Sequence, residues 1–147
     1  KKSPNLVIID RLLNIKKNSA IFSKDKRKIY IFTYAIKPSK EIFLKKKGVK
    51  IIKLKDSKNN ITDLKNIFYK IKKIGYNRIL VESGVTFLDL LVKNNFIKNF
   101  YLFKASTNLG LNGSNNSIPR YLKKINFSDK NKINVNLNED NLYKAKI

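Results

Sequence analysis

Lys28-Ile29-Tyr30-Ile31-Phe32-Thr33-Tyr34 is followed by Pro38-Ser39-Lys40-Glu41, which opens a stretch running to about Lys47. Gly48 comes next, and then Val49-Lys50-Ile51-Ile52-Lys53-Leu54. The first and last runs are β-branched and aromatic, with the length of buried strands. Between them, Pro stands where helix starts tolerate it and Gly stands where helices stop. A strand, a short helix and a second strand in this order imply parallel pairing with a right-handed crossover.

The pattern extends to both sides. Asn5-Leu6-Val7-Ile8-Ile9-Asp10 reads as an earlier strand, separated from Lys28 by the charged turn Lys24 to Arg27. Downstream, Thr62 to Lys73 carries Leu64, Ile67, Phe68 and Ile71 at helical spacing, with Thr62 as the candidate N-cap and Gly75 as the stop. Arg78-Ile79-Leu80-Val81-Glu82 reads as a fourth strand, and Val85 to Asn94 as a helix with Phe87, Leu88, Leu91 and Val92 on its apolar side. Asn99 to Ser106 is a fifth strand. The tail changes character: Lys123 to Phe127, Ile133 to Leu137 and Leu142 to Ile147 are alternating runs divided by polar turns, as in antiparallel strands that complete one edge. Asn108 to Ser117 is the long flexible loop. The expected fold class is α/β, a mixed sheet that is mostly parallel with antiparallel C-terminal strands, flanked by helices.

A chain of 147 residues fits one domain, residues 1–147, and can bury roughly two thirds of its extended surface. Hydrophobic residues at 42% argue against a disordered tail, and no apolar run approaches the ~18 residues of a membrane span. The chain opens Lys1-Lys2 and contains no Met, which suggests a piece of something longer. Cys and His are both absent. That removes disulfides, the usual zinc sites, a thiol nucleophile and a Ser-His-Asp relay, and a total of 10 acidic residues argues against a multi-metal carboxylate cluster. No metal is expected.

The formal net charge is +23, which by itself points to nucleic acid. Yet 29 of the 33 cations are Lys and only four are Arg, the residue preferred for bidentate phosphate and base contacts. Lys, Ile and Asn together fill 69 positions, and all three have A/T-rich codons, so compositional drift explains the bias better than selection for a polyanion. Only nonspecific, salt-sensitive binding of nucleic acid is expected.

The junction Ile79-Leu80-Val81-Glu82-Ser83-Gly84-Val85-Thr86-Phe87-Leu88 carries most of the chemistry. An apolar strand runs into small residues, and a helix starts at once. The first helical turn offers free N–H groups and a partial positive end, Ser83 and Gly84 allow close approach, and Thr86 adds a hydroxyl. Such a turn suits a phosphate or pyrophosphate at the carboxyl edge of a parallel sheet, and it also suits a plain tight connection. Glu82 is one of three Glu; it can accept hydrogen bonds from a heterocycle or pair with a lysine. Arg11, after Asp10, can grip a phosphate or be solvated.

The ordered set of segments resembles the C-terminal reductase domain of the bifunctional riboflavin-biosynthesis deaminase/reductase, which is dihydrofolate-reductase-like. Val7-Ile8-Ile9-Asp10-Arg11 is similar to that family's strand ending in Asp followed by Ser or Arg. Ile79 to Phe87 is similar to its signature of aliphatic residues, Glu, two small residues, Pro and Thr. Phe100-Tyr101-Leu102-Phe103-Lys104-Ala105 and Leu109-Gly110-Leu111-Asn112-Gly113 resemble the following strand and Gly-containing loop. The sequence departs from the pattern at Ser83, often Gly, at Val85, commonly Pro, at Lys98-Asn99, usually Asp-Glu, and at Ser106, typically Pro. The family's segment upstream of Asn5 and its zinc deaminase domain are missing from this sequence.

The resemblance implies a cytoplasmic, NADPH-dependent oxidoreductase that reduces 5-amino-6-(5-phosphoribosylamino)uracil to the ribitylamino product by hydride transfer. It implies Glu82 at the substrate, Gly84, Val85, Thr86, Phe87, Leu88, Asp89 and Leu90 along the NADPH site, and Arg11 near the cofactor's phosphates. No protein group is assigned as catalytic. Its partners would be the pyrimidine ribosylamine phosphate and either a second copy, as a homodimer, or the missing deaminase and N-terminal segment, with no membrane. A basic nucleic-acid-binding module and a noncatalytic remnant or subunit of the reductase stay open as alternatives.

Overall fold

The computed structural model describes residues 3–22, 27–55, 59–107, 118–135, 137 and 139–147. The expected loop Asn108 to Ser117, with Leu109 to Gly113, and Lys24 to Lys26 of the charged turn lie outside the described residues. The chain divides into two compact units, Lys1–Ile79 and Leu80–Ile147.

The first unit is built on a parallel sheet of β1 (Leu6–Ile9), β2 (Ile29–Thr33) and β3 (Val49–Lys53), in that spatial order. Ile8 pairs with Ile31, and Ile31 with Ile51. All five residues of β2 are buried, as the central strand of a sheet covered on both faces requires. The pleat sorts them: Ile29 and Ile31 pack with Leu13, Leu44 and Val49, whereas Tyr30 and Phe32 pack with Leu54, Ile67 and Ile71. The first set lies under α1 (Pro38–Lys46) and the second under α2 (Asn60–Lys73). Leu64, Ile67 and Ile71 form the buried stripe of α2 at the spacing its sequence dictates.

Local punctuation explains the ends. Gly75 (φ 102°) closes α2 in a Schellman motif: its N–H reaches Lys72 O and that of Tyr76 reaches Ile71 O. The cap at the start of α2 is Asn59, whose Oδ1 accepts from Ile61 N and Thr62 N, so the helix begins earlier than Thr62. Leu13 is left-handed (φ 51°), a costly conformation for a bulky side chain, and its complete burial helps hold it there.

The second unit contains α3 (Val85–Lys93) and an antiparallel sheet in the order β4 (Asn99–Lys104), β6 (Asn141–Lys146), β5 (Lys132–Ile133). Phe100 pairs with Ala145 and Leu102 with Tyr143. Phe127 rests against Phe100 and Tyr143, with ring centroids 5.6 and 6.1 Å away. The C-terminal strands are thus antiparallel, as their alternating pattern predicts, and with the parallel strands of the first unit and the helices they give the α/β class.

Two expected strands do not form. Arg78 to Glu82 pairs with no strand among the described residues, and Ile79 and Leu80 are exposed, 80% in the case of Leu80. Its β-branched pattern matches that of β2; what it lacks among the described residues is a neighbouring ladder to satisfy its backbone. Lys123 to Phe127 begins instead as a 3-10 turn at Leu122–Lys124, because Asp89 draws the preceding amides onto α3. Of Ile133 to Leu137, only Ile133 is in a ladder among the described residues.

Candidate functional site

α3 starts without help from a side chain. Gly84 is its N-cap at φ −65°, ψ 156°, and among the described residues no side chain caps the first turn. The first helical bond runs from Leu88 N to Gly84 O. Ser83 turns its hydroxyl to the Gly84 carbonyl at 3.4 Å, and among the described residues the amides of Val85, Thr86 and Phe87 have no side-chain acceptor. No acidic residue stands in this turn. Glu82, Ser83, Gly84, Val85 and Thr86 are all exposed. A Cβ added at Gly84 would meet nothing within 4 Å, and its φ suits any residue, so the chain's own packing does not demand glycine here. What the small residue leaves is open backbone beside free N–H groups and a helix's positive end, an arrangement suited to an anion.

The remaining residues of this stretch behave differently. Phe87, Leu88, Asp89 and Leu90 are half-buried. The Asp89 carboxylate accepts from Tyr121 N at 2.8 Å and Leu122 N at 2.9 Å. Its charge is therefore directed at backbone donors of the second unit.

Arg11 belongs to the first unit. Because β1, β2 and β3 are parallel, the segments after Ile9, Thr33 and Lys53 leave the same edge of the sheet. Arg11 O there accepts from Tyr34 N, Ala35 N and Thr33 Oγ1, all within 3.2 Å, which fixes the backbone of the residue. Its guanidinium lies 5.1 Å over the Tyr34 ring and donates to Asn60 Oδ1 at 3.1 Å, in the first turn of α2. The side chain stays exposed, so the unused faces of the guanidinium remain available.

Sequence reasoning missed the supporting group at this edge. Glu41, in the first turn of α1, accepts from the Lys37 N–H and pairs with Lys53, whose ammonium also reaches Ala35 O. The Lys53 ammonium, and then the Lys37 amide, hold the Glu41 carboxyl below its ordinary value. Asn59-Asn60 before an amphipathic run was a legible cap signal; nothing local announced Tyr34 or Lys53 as partners. Among the described residues no cluster of three metal-ligating side chains forms, and no helix is long and apolar enough to cross a membrane.

Compared with models of protein families, residues 1–136 match the RibD C-terminal domain. The chain belongs to the RibD C-terminal domain family. The match spans both units and covers most of the 147 residues. No curated protein matches the chain. The RibD C-terminal domain is a reductase-type domain of riboflavin biosynthesis with a dihydrofolate-reductase-like fold, and such reductases typically use a nicotinamide cofactor.

Proposed function

We propose that this chain reduces the ribosyl group of 5-amino-6-(5-phosphoribosylamino)uracil to ribityl with NADPH. The supporting observation is the exposed first turn of α3, where Val85, Thr86 and Phe87 present amides without a side-chain cap beside an unobstructed Gly84. These groups fit the pyrophosphate of a dinucleotide: uncharged donors, no neighbouring carboxylate in the turn, and no side chain at Gly84 to exclude the ligand. Gly84 through Leu90 would hold the cofactor, with Thr86 adding a hydroxyl donor and Asp89 acting by fixing the Tyr121 segment. Arg11, in the first unit, presents a cation oriented by Tyr34 and Asn60 that by itself suits a cofactor phosphate. Exposed Glu82 would accept N–H donors from the pyrimidine.

When bound, a nicotinamide cofactor supplies the hydride. The chain's own part is to bind and orient, and no side chain is assigned a covalent role. The direct test combines fluorescence titration with NADPH and incubation with NADPH and the substrate, following loss of NADPH absorbance and appearance of the ribitylamino product. Saturable binding with product formation supports the proposal. Binding without turnover would make the chain a noncatalytic subunit of the reductase, and absence of saturable binding would overturn the cofactor assignment.

A further inference from the structure

β4 alternates between two environments. Phe100 and Leu102 are half-buried on the packed side of the antiparallel sheet, where Phe100 meets the Phe127 ring. Tyr101 and Phe103 lie on the other side and are 47% and 67% exposed. The register carries this division across to β6. Tyr101 stands opposite Lys144, Phe103 opposite Leu142 and Asn99 opposite Lys146, so these six residues share one face. Consistent with that, the Lys144 ammonium lies 5.7 Å from the Tyr101 ring centroid. Ile133 of β5, opposite Leu142, extends the half-buried apolar floor.

This face is neither a core nor an ordinary polar surface. Its two exposed rings stand two residues apart, roughly 6.8 Å along a strand that rises about 3.4 Å per residue. Lys144, Lys146 and Asn99 are exposed beside them, and no Asp or Glu belongs to β4, β5 or β6. Glu139 and Asp140 come just before β6, and both accept hydrogen bonds from Ser106, past the end of β4. Codon drift accounts for how many lysines the chain has. It does not account for two rings left in water while their neighbours Phe100 and Leu102 are packed.

The chemistry of the face selects its occupant. A second copy would bring a net charge of +23 against its equal, lysine face to lysine face. An acidic polypeptide would satisfy the ammonium groups and leave the ring faces without a flat partner. A duplex keeps its base faces stacked on one another. A single strand offers both things the face asks for, flat π-surfaces in series and a negative backbone. We propose that the outer face of the antiparallel sheet is a stacking platform for single-stranded nucleic acid. Successive bases lie on Tyr101 and Phe103, and the backbone phosphates face Lys144 and Lys146. Base faces and phosphates are common to RNA and DNA, so the platform accepts either sugar.

The experiment is fluorescence anisotropy of the full chain with a labelled oligothymidylate of about 12 nucleotides, within the usual range of single-strand sites. An abasic strand of the same length carries the same phosphates without the bases. At physiological salt the thymidylate strand should bind at least ~10-fold tighter than the abasic one, a gap that charge attraction alone does not produce. The double variant Tyr101→Leu/Phe103→Leu keeps apolar bulk in β4 but removes the π-faces; its melting curve should match the parent and its affinity should fall at least ~10-fold. Lys144→Gln/Lys146→Gln should lower the slope of log affinity against log salt by about 1, whereas Lys65→Gln, exposed on α2, should leave it unchanged. Equal binding of the abasic strand, parental affinity in the leucine variant, or an equal change of slope in Lys65→Gln would each overturn the proposal.

Discussion

The Arg11 guanidinium stacks 5.1 Å over the Tyr34 ring, so a residue just past β1 is oriented by one just past β2. Asn60 completes the arrangement from α2. Three segments brought together by parallel pairing thus hold one exposed cation at the carboxyl edge of the sheet. Arg11→Ala should weaken NADPH binding about tenfold, the usual worth of one charge-assisted phosphate contact. Arg11→Lys should fall between, since it keeps the charge but loses the fork. Thermal melts of both should match the parent, because the side chain is exposed. An Arg11→Ala chain that binds NADPH with unchanged affinity removes Arg11 from the cofactor site.

Gly75 and Gly84 make a matched pair. Gly75 has φ 102°, so Gly75→Ala should cost about 1–2 kcal/mol in denaturant unfolding through backbone strain. Gly84 has an ordinary φ and open space around it, so Gly84→Ala should cost no more than about 1 kcal/mol, the disadvantage of alanine against glycine at an N-cap. Its effect should appear in NADPH affinity, where a methyl group would keep the ligand from the amides. A Gly84→Ala chain that keeps its NADPH affinity would show that this glycine serves only the fold.

Glu41 sets an acid limit on the first unit. Its folded carboxyl titrates below its ordinary value of 4.5, chiefly through Lys53, so the native state favours the ionised form. The resulting stabilisation is present above the unfolded value and disappears as pH falls through the folded one. Melting curves should show the parent more stable than Glu41→Gln at pH 6, by a few degrees at most because the Lys53 partner is exposed. The gap should close as pH drops below about 4.5. A gap independent of pH would place the contribution in packing instead of the ion pair.

Asp89 ties α3 to a segment 32 residues later. Asp89→Ala strips an ionised acceptor from two backbone donors and should destabilise the chain by about 1.5–3 kcal/mol. Asp89→Asn keeps an oxygen at Oδ1 and should recover most of the loss. Hydrogen exchange supplies the site-specific check: the Tyr121 and Leu122 amides should lose protection in the alanine variant and retain it in the asparagine variant.

Much of the first unit was legible before any coordinates. β2, α1 and β3 announce themselves because their signals are local: β-branched runs, a proline at the first helical position, glycine after the last. The start of α3 at Gly84-Val85 was legible for the same reason, as was the absence of an acidic residue in its first turn. The cap of α2 was misread by three residues, since Thr62 and Asn59 are both competent and only the backbone path selects between them.

What the amino-acid order determined by itself is the alternation of elements, the apolar faces of the helices and the chemistry excluded by having no Cys or His. Tertiary structure alone decided which runs became strands and which side chains met. Arg78–Glu82 carries as good a strand pattern as Ile29–Thr33, but a strand exists only when a second backbone satisfies its N–H and C=O groups. That second backbone is specified elsewhere in the chain. The same holds for Arg11 with Asn60 and Asp89 with Tyr121: each contact joins residues dozens of positions apart, and no periodicity or spacing encodes such a meeting.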